Sequence, residues 1–334
     1  MRREEDLKEL TASEDEDVGR LQIAVAEHRL VHVVESRHQL VVEDVGGVTA
    51  GELVFLKDGE ECLKQQIIRE KKVHLIYREK EAMQILSSSK GYAKRFFVQI
   101  FCTFQDREAL YFVMTLGSGG DLRTLIAKEK KLQADVAAKY AAQIAMALDH
   151  MHSLGVLHRD LKPENVLLNK EEDHIMLSDF GSAKILNSQS NDSQKPPENP
   201  QETADVPPRP RVRKCSFVGT AQYVSPEVLT NQPVSEACDY WALGCVIYQM
   251  LVGRPPFTGE TEYFIFQAVM KADFSFPEDL DNADAKDLIK MLLVLSPSER
   301  LGSKELGGAD TVQHHPFLAK WTDLLAADME RLNI

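Results

Sequence analysis

The sequence predicts an α+β protein of two lobes, a small β-rich one followed by a large helical one, and three observations carry this. Short β-branched runs punctuated by glycine dominate residues 21–64. After Gly120 apolar residues recur at steps of three and four. A chain of 334 residues with 43% hydrophobic content fills a core of that size. Strands segregated from a following set of helices are the α+β pattern.

Residues 1–20 hold eight acidic and four basic side chains with almost nothing to bury, the composition of a disordered acidic arm. Runs at Leu30 to Val34, Leu40 to Val45 and Leu53 to Leu56 predict a small antiparallel sheet, with Asp58-Gly59 as a tight hairpin turn. A helix is expected over Ile67 to Leu86, then strands at Phe96 to Phe104 and Ala109 to Leu116, separated by a polar turn. From Asp135 to Leu154, the residues Val136, Tyr140, Ile144, Ala147, Leu148 and Met151 form an amphipathic stripe. Residues 187–213 are polar and hold six of the fourteen prolines, which predicts an exposed inserted loop. These readings divide the chain into the arm 1–20, a first lobe 21–116, a second lobe 117–320 and a C-terminal tail 321–334.

A net charge of −13 disfavours nucleic acid and anionic membrane as general partners, because both are polyanions. The five cysteines are scattered without C-x-x-C spacing, which suggests neither a disulfide framework nor a zinc site, and points to a cytosolic or nuclear protein. The longest apolar stretch, Trp241 to Val252, is too short to span a bilayer, so no integral membrane segment is expected.

Chemistry concentrates in His158-Arg159-Asp160-Leu161-Lys162-Pro163-Glu164-Asn165, followed nineteen residues after Asp160 by Asp179-Phe180-Gly181. Phosphoryl transfer needs positioning and charge neutralisation: one carboxylate for the nucleophile and separate oxygen ligands for magnesium. Asp160 suits the first task, orienting a substrate hydroxyl and accepting its proton. Asn165 and Asp179 suit the second, holding Mg²⁺ on ATP phosphates, and Lys162 favours the migrating phosphate and indicates Ser/Thr substrates. These groups are expected to converge on one nucleotide. Downstream, Ser225-Pro226-Glu227 closes the segment, with serine where alanine is usual in A-P-E. Asp239 is expected to brace the catalytic loop, and Glu227 to pair with Arg300.

The run Ser216-Phe217-Val218-Gly219-Thr220-Ala221-Gln222-Tyr223-Val224-Ser225-Pro226-Glu227 resembles the phosphoinositide-dependent members of the AGC group of serine/threonine protein kinases. So do Ile67 to Val73, Arg78-Glu79, Thr103 to Asp106 and Tyr263 to Gln267, and the resemblance covers about Ile67 to Phe317. It implies the bilobal protein kinase fold, with a shortened first lobe, and an enzyme that phosphorylates activation loops of other AGC kinases and its own Ser216, whose phosphate Arg159 would hold. It implies a nucleotide site with Met114 as gatekeeper, Thr115, Leu116 and Gly117 offering backbone groups to adenine, Asp121 at the ribose, and Leu167. It also implies a groove for a hydrophobic motif of substrate kinases near Ile67, Ile68, Gln105 and Leu110.

The first lobe departs from the kinase pattern. Its nearest glycine-rich loop, Gly46 to Leu53, keeps Gly46 and Gly51 but has Val48 where the second glycine belongs. Lys64, ending a strand, is the candidate ATP lysine to pair with Glu79; a gapless register from Glu79 instead puts Glu60 there and moves Lys64 into the groove. Two functional readings stand: an active kinase using ATP and Mg²⁺, or a pseudokinase scaffold with impaired nucleotide binding. The lipid-binding domain that follows the catalytic domain in such kinases has no counterpart in these residues.

Overall fold

A computed structural model describes residues 20–24, 30–36, 39–43, 53–55, 62–70, 72–105, 109–171, 173–186 and 221–331. Gly46, Val48, Gly51, Asp58-Gly59, Glu60, Ser216, the acidic arm up to residue 19 and the whole proline-rich insert lie outside these. The described residues form two compact units, one holding those up to Leu125 with Glu164–Ser182 and Met329 onward, the other Ile126–Pro163 with Ala183–Asp328.

In the first unit β1 (Arg20–Ala24), β2 (Leu30–Ser36) and β3 (Gln39–Glu43) make an antiparallel meander. The short strand β4 (Leu53–Phe55) does not extend that sheet, contrary to the single sheet expected. It pairs instead with β7 (Ala109–Thr115), which also pairs with β5 (Cys62–Leu63) and β6 (Ile100–Gln105). Leu53 lies opposite Thr115 and Val54 opposite Met114.

The helix expected over Ile67 to Leu86 is two helices, α1 (Lys64–Arg69) and α2 (Val73–Ser88). The backbone breaks between them where Lys72 N–H donates back to Ile67 O and the Lys72 ammonium reaches Glu70 at 2.7 Å. Ala82, Met83 and Leu86 bury one face of α2. The hairpin Val166–Asn169/His174–Leu177 belongs to this unit and is tied in by Val98 N–H donating to Leu177 O at 2.9 Å.

The second unit is built around the helix Ala134–Ser153 and the helix Ala237–Val252, the latter buried almost end to end. The amphipathic stripe read from the sequence holds for Ile144, Ala147, Leu148 and Met151, each fully buried. At its N-terminal end Val136 is exposed, and the small residues Ala137, Ala138, Ala141 and Ala142 are buried instead, because alanine lets neighbouring backbone approach where a branched side chain would not fit. Trp241 stacks on Phe257 with ring centroids 5.4 Å apart. Among the described residues no helix is long and apolar enough to cross a membrane.

Candidate active site

The catalytic loop follows the short strand Val156–Leu157. Arg159 adopts φ = 64°, a left-handed backbone that costs a non-glycine residue about 1 kcal/mol. Asp239, fully buried on the helix Ala237–Val252, compensates: His158 N–H donates to its Oδ2 at 2.9 Å and Arg159 N–H to its Oδ1 at 2.8 Å. His152 Nε2 lies 2.8 Å from the same Oδ2. Burial pushes the Asp239 carboxyl up, but the hydrogen bond and charge of His152, with His158 and the Arg159 N–H, outweigh it and hold the group below the ordinary carboxylate range. Held this way, the loop presents Asp160, whose Oδ2 accepts from Lys162 Nζ at 2.7 Å.

His152 is a member of this network that the sequence reading did not single out. Its signal was there: it continues the stripe Ile144, Leu148 one turn further, a polar side chain on a buried face, and such groups need partners.

The metal-ligand candidates sit in the first unit. Asn165 is buried and its Nδ2 donates to Asp179 Oδ2 at 3.4 Å. Ser178 N–H donates to Asn165 O at 2.9 Å, which fixes the two segments side by side. Asp179 is exposed at φ = 59°, while Phe180 is fully buried with its ring 6.5 Å from that of Phe97. Anchoring one neighbour in the core aims the carboxylate outward. Among the described residues no group of three or more His, Cys, Asp or Glu makes an all-protein metal cage. An amide oxygen and a carboxylate suit Mg²⁺ that keeps phosphate oxygens and waters as its other ligands.

Glu79 on α2 approaches the same place: a Cβ on Gly181 would sit 3.4 Å from Asp179 Oδ1 and 3.9 Å from Glu79 Oε2. Burial, and then the charge of Asp179, push the Glu79 carboxyl up to about 7. Among the described residues no lysine or arginine forms an ion pair with it. Lys64 stands directly at the end of β5, as expected, and is also the first residue of α1.

With its folded pKa above the ordinary value, Glu79 contributes stability that is complete below pH 4.5 and is lost as pH rises through about 7. Glu79→Gln is therefore expected to raise the melting temperature by about 5 °C at pH 8 and to change it little at pH 4.5. Parallel pH profiles for both proteins would instead mean that a cation keeps Glu79 ionised.

The expected nucleotide residues lie on and after β7. Met114 is buried; Thr115 N–H donates to Gln99 O at 3.0 Å, and Gly117 O accepts from Gly120 N–H at 3.1 Å. These bonds occupy the Thr115 N–H and the Gly117 carbonyl, and Leu116 between them is exposed. Gly117 is required by a close approach, since a Cβ there would lie 2.9 Å from Leu167 Cβ. Asp121 caps the helix Leu122–Glu129, accepting from Thr124 N–H at 2.7 Å and Thr124 Oγ1 at 3.0 Å. Of the groove residues, Ile67 is buried and Ile68 exposed on α1, while Leu110 lies opposite Cys62 and Gln105.

Downstream of Ser225-Pro226, Glu227 and Arg300 form a buried bidentate pair. Ser225, where alanine is usual, leaves its Oγ buried and without a partner among the described residues.

Residues 51–318 match the protein kinase domain family. The chain is 42% identical over 259 residues to human 3-phosphoinositide-dependent protein kinase 1, an alignment covering 78% of this chain and 42% of that protein. It is 44% identical over 254 residues to serine/threonine-protein kinase ksg1 of Schizosaccharomyces pombe, covering 76% and 40%. Over 245 residues it is 44% identical to serine/threonine-protein kinase PKH1 of Saccharomyces cerevisiae, covering 73% and 30%. The chain thus spans less than half the length of these curated relatives.

Proposed function

The chain belongs to the protein kinase family, and on that premise we propose that it is a serine/threonine protein kinase that moves the γ-phosphoryl group of ATP onto activation-loop hydroxyls of other AGC kinases. The observation that carries this is the fixing of Asp160: a carboxylate bound by Lys162 at 2.7 Å, in a loop whose backbone amides are held by the buried Asp239.

The chemistry asks little covalent work of the protein. Asp160 accepts the proton of the substrate hydroxyl as that oxygen bonds to the γ-phosphorus, and the bond from phosphorus to the bridging oxygen breaks to release ADP. Lys162, reaching the region of Asp160, offsets negative charge on the phosphoryl group in flight. Asn165 and Asp179 are the residues that would hold Mg²⁺, which neutralises phosphate charge when bound. Asp179 is exposed, and its carboxylate and that of Glu79 both lie beside Gly181, which places oxygen ligands where such an ion would sit. In the same proposal Thr115, Leu116 and Gly117 offer backbone groups to adenine, Lys64 approaches the phosphates, Arg159 holds a phosphate on Ser216, and the α1 face with Ile68 receives the substrate's hydrophobic motif.

One observation favours the scaffold reading: Glu79 lacks a cationic partner among the described residues. A single assay separates the two. Purified protein with labelled ATP, Mg²⁺ and an AGC activation-loop peptide is expected to transfer label to the peptide, and Mg·ATP is expected to raise the melting temperature. Neither transfer nor a thermal shift would establish the scaffold.

A further inference from the structure

The highest aromatic exposures among the described residues lie on the helix Glu262–Lys271: Tyr263 is 65% and Phe264 54% exposed. Met270, 39% exposed, and Gln267 continue that face, so Tyr263, Gln267 and Met270 fall at i, i+4 and i+7. The fold does not need this stripe. Val269 is the fully buried residue of the helix, and the Tyr263 and Phe264 rings lean on each other, edge to face at 5.6 Å. Water-exposed aromatics packed as a pair are the composition of a protein contact rather than of an ordinary surface.

Charge around the stripe selects the occupant. Within residues 260–273, which hold the helix and its flanks, Glu260 and Asp273 are exposed and Glu262 half-buried, and Lys271 is the one cation of that segment. A second copy packed two-fold on this face would set those carboxylates against their own equivalents, in a chain already at −13. A cationic partner gains from the same rim. We propose that this face docks a basic segment, carrying an apolar anchor, of the intact protein substrate. The proposal rests on the kinase reading, and it makes the helix a specificity surface for folded substrates that a short phosphosite peptide does not reach.

The test compares two substrates: a catalytically inactivated, unphosphorylated AGC-kinase catalytic domain, and a short peptide carrying its activation loop. Tyr263→Ser with Phe264→Ser is expected to raise KM for the intact domain about tenfold while kcat/KM for the peptide stays within about twofold. Glu260→Lys with Glu262→Lys is expected to act in the same direction, which guards against a packing defect of the first variant. Equal KM for the intact domain in all three proteins would overturn the proposal, as would equal losses on both substrates. So would a wild-type dimer in sedimentation that the aromatic variant converts to monomer, since the occupant would then be a second copy. Affinity of each protein for the inactivated domain, read by biolayer interferometry, needs no catalysis. A loss there with no phosphate transfer by the wild type would refute the kinase reading and keep the docking surface.

Discussion

Asp160→Asn is expected to lower kcat by about 10³-fold, with the melting temperature and the Mg·ATP thermal shift unchanged. Asparagine keeps the shape of the side chain, so the loop braced by Asp239 keeps its course; what is lost is a group able to take the hydroxyl proton. The Lys162 ammonium, 2.7 Å from Asp160 Oδ2, then faces an amide rather than a carboxylate. Lys162→Ala should cost less, because it removes one charge near the phosphoryl group and leaves the base in place. The comparison is made by steady-state kinetics on the activation-loop peptide at saturating ATP. An asparagine variant that turns over at the wild-type rate would remove Asp160 from the chemistry and with it the mechanism proposed.

How much of this was legible in the sequence depends on how local each constraint is. The catalytic loop packs its roles into eight consecutive residues, and Asp179-Phe180-Gly181 needs one buried ring beside one exposed carboxylate, so residue type and spacing suffice. Asp239 meets His158 across 81 residues of chain, and no periodicity announces that contact; the kinase pattern did. His152 was readable in principle, as the polar continuation of the stripe through Ile144 and Leu148, but a stripe says that a side chain is buried and not what it meets. The first lobe failed where local signals compete. Leu53–Phe55 is a β-prone apolar run, and nothing in its own residues chooses β7 over the meander before it. Between Arg69 and Val73 helical propensity continues unbroken, yet the Lys72–Glu70 contact and the turn back to Ile67 O end one helix and start another. Lys64 lies at such a junction: it follows the last residue of β5 and opens α1, a helix start that the strand pattern before it does not announce.

Glu227→Ala is expected to destabilise the second unit by about 3–5 kcal/mol, a fall of about 10 °C in melting temperature. Arg300 is fully buried, and its NH1 donates to Glu227 Oε1 at 2.7 Å and to Ala237 O at 2.7 Å, while NH2 donates to Glu227 Oε2 at 3.1 Å. Its Nε and NH2 each donate to Val294 O at 3.0 Å, and the guanidinium lies 5.1 Å from the Trp241 ring centroid. Every donor is thus placed, and removing the carboxylate leaves a buried cation with carbonyls alone to oppose it. The same reasoning gives the sign of the coupling. Replacing both partners with apolar residues of similar volume, Glu227→Leu with Arg300→Met, removes the stranded charge, so the double variant should lose less than the sum of the two single losses. Chemical denaturation of the four proteins measures this, and simple additivity would show that Glu227 and Arg300 are stabilised by their separate surroundings and not by each other. Because Glu227 closes the segment that begins at Asp179-Phe180-Gly181, the single variant should also raise KM for protein substrate before it unfolds the protein. A buried pair of this kind contributes more to holding that segment in one geometry than to net stability, and the double variant is where the two contributions come apart.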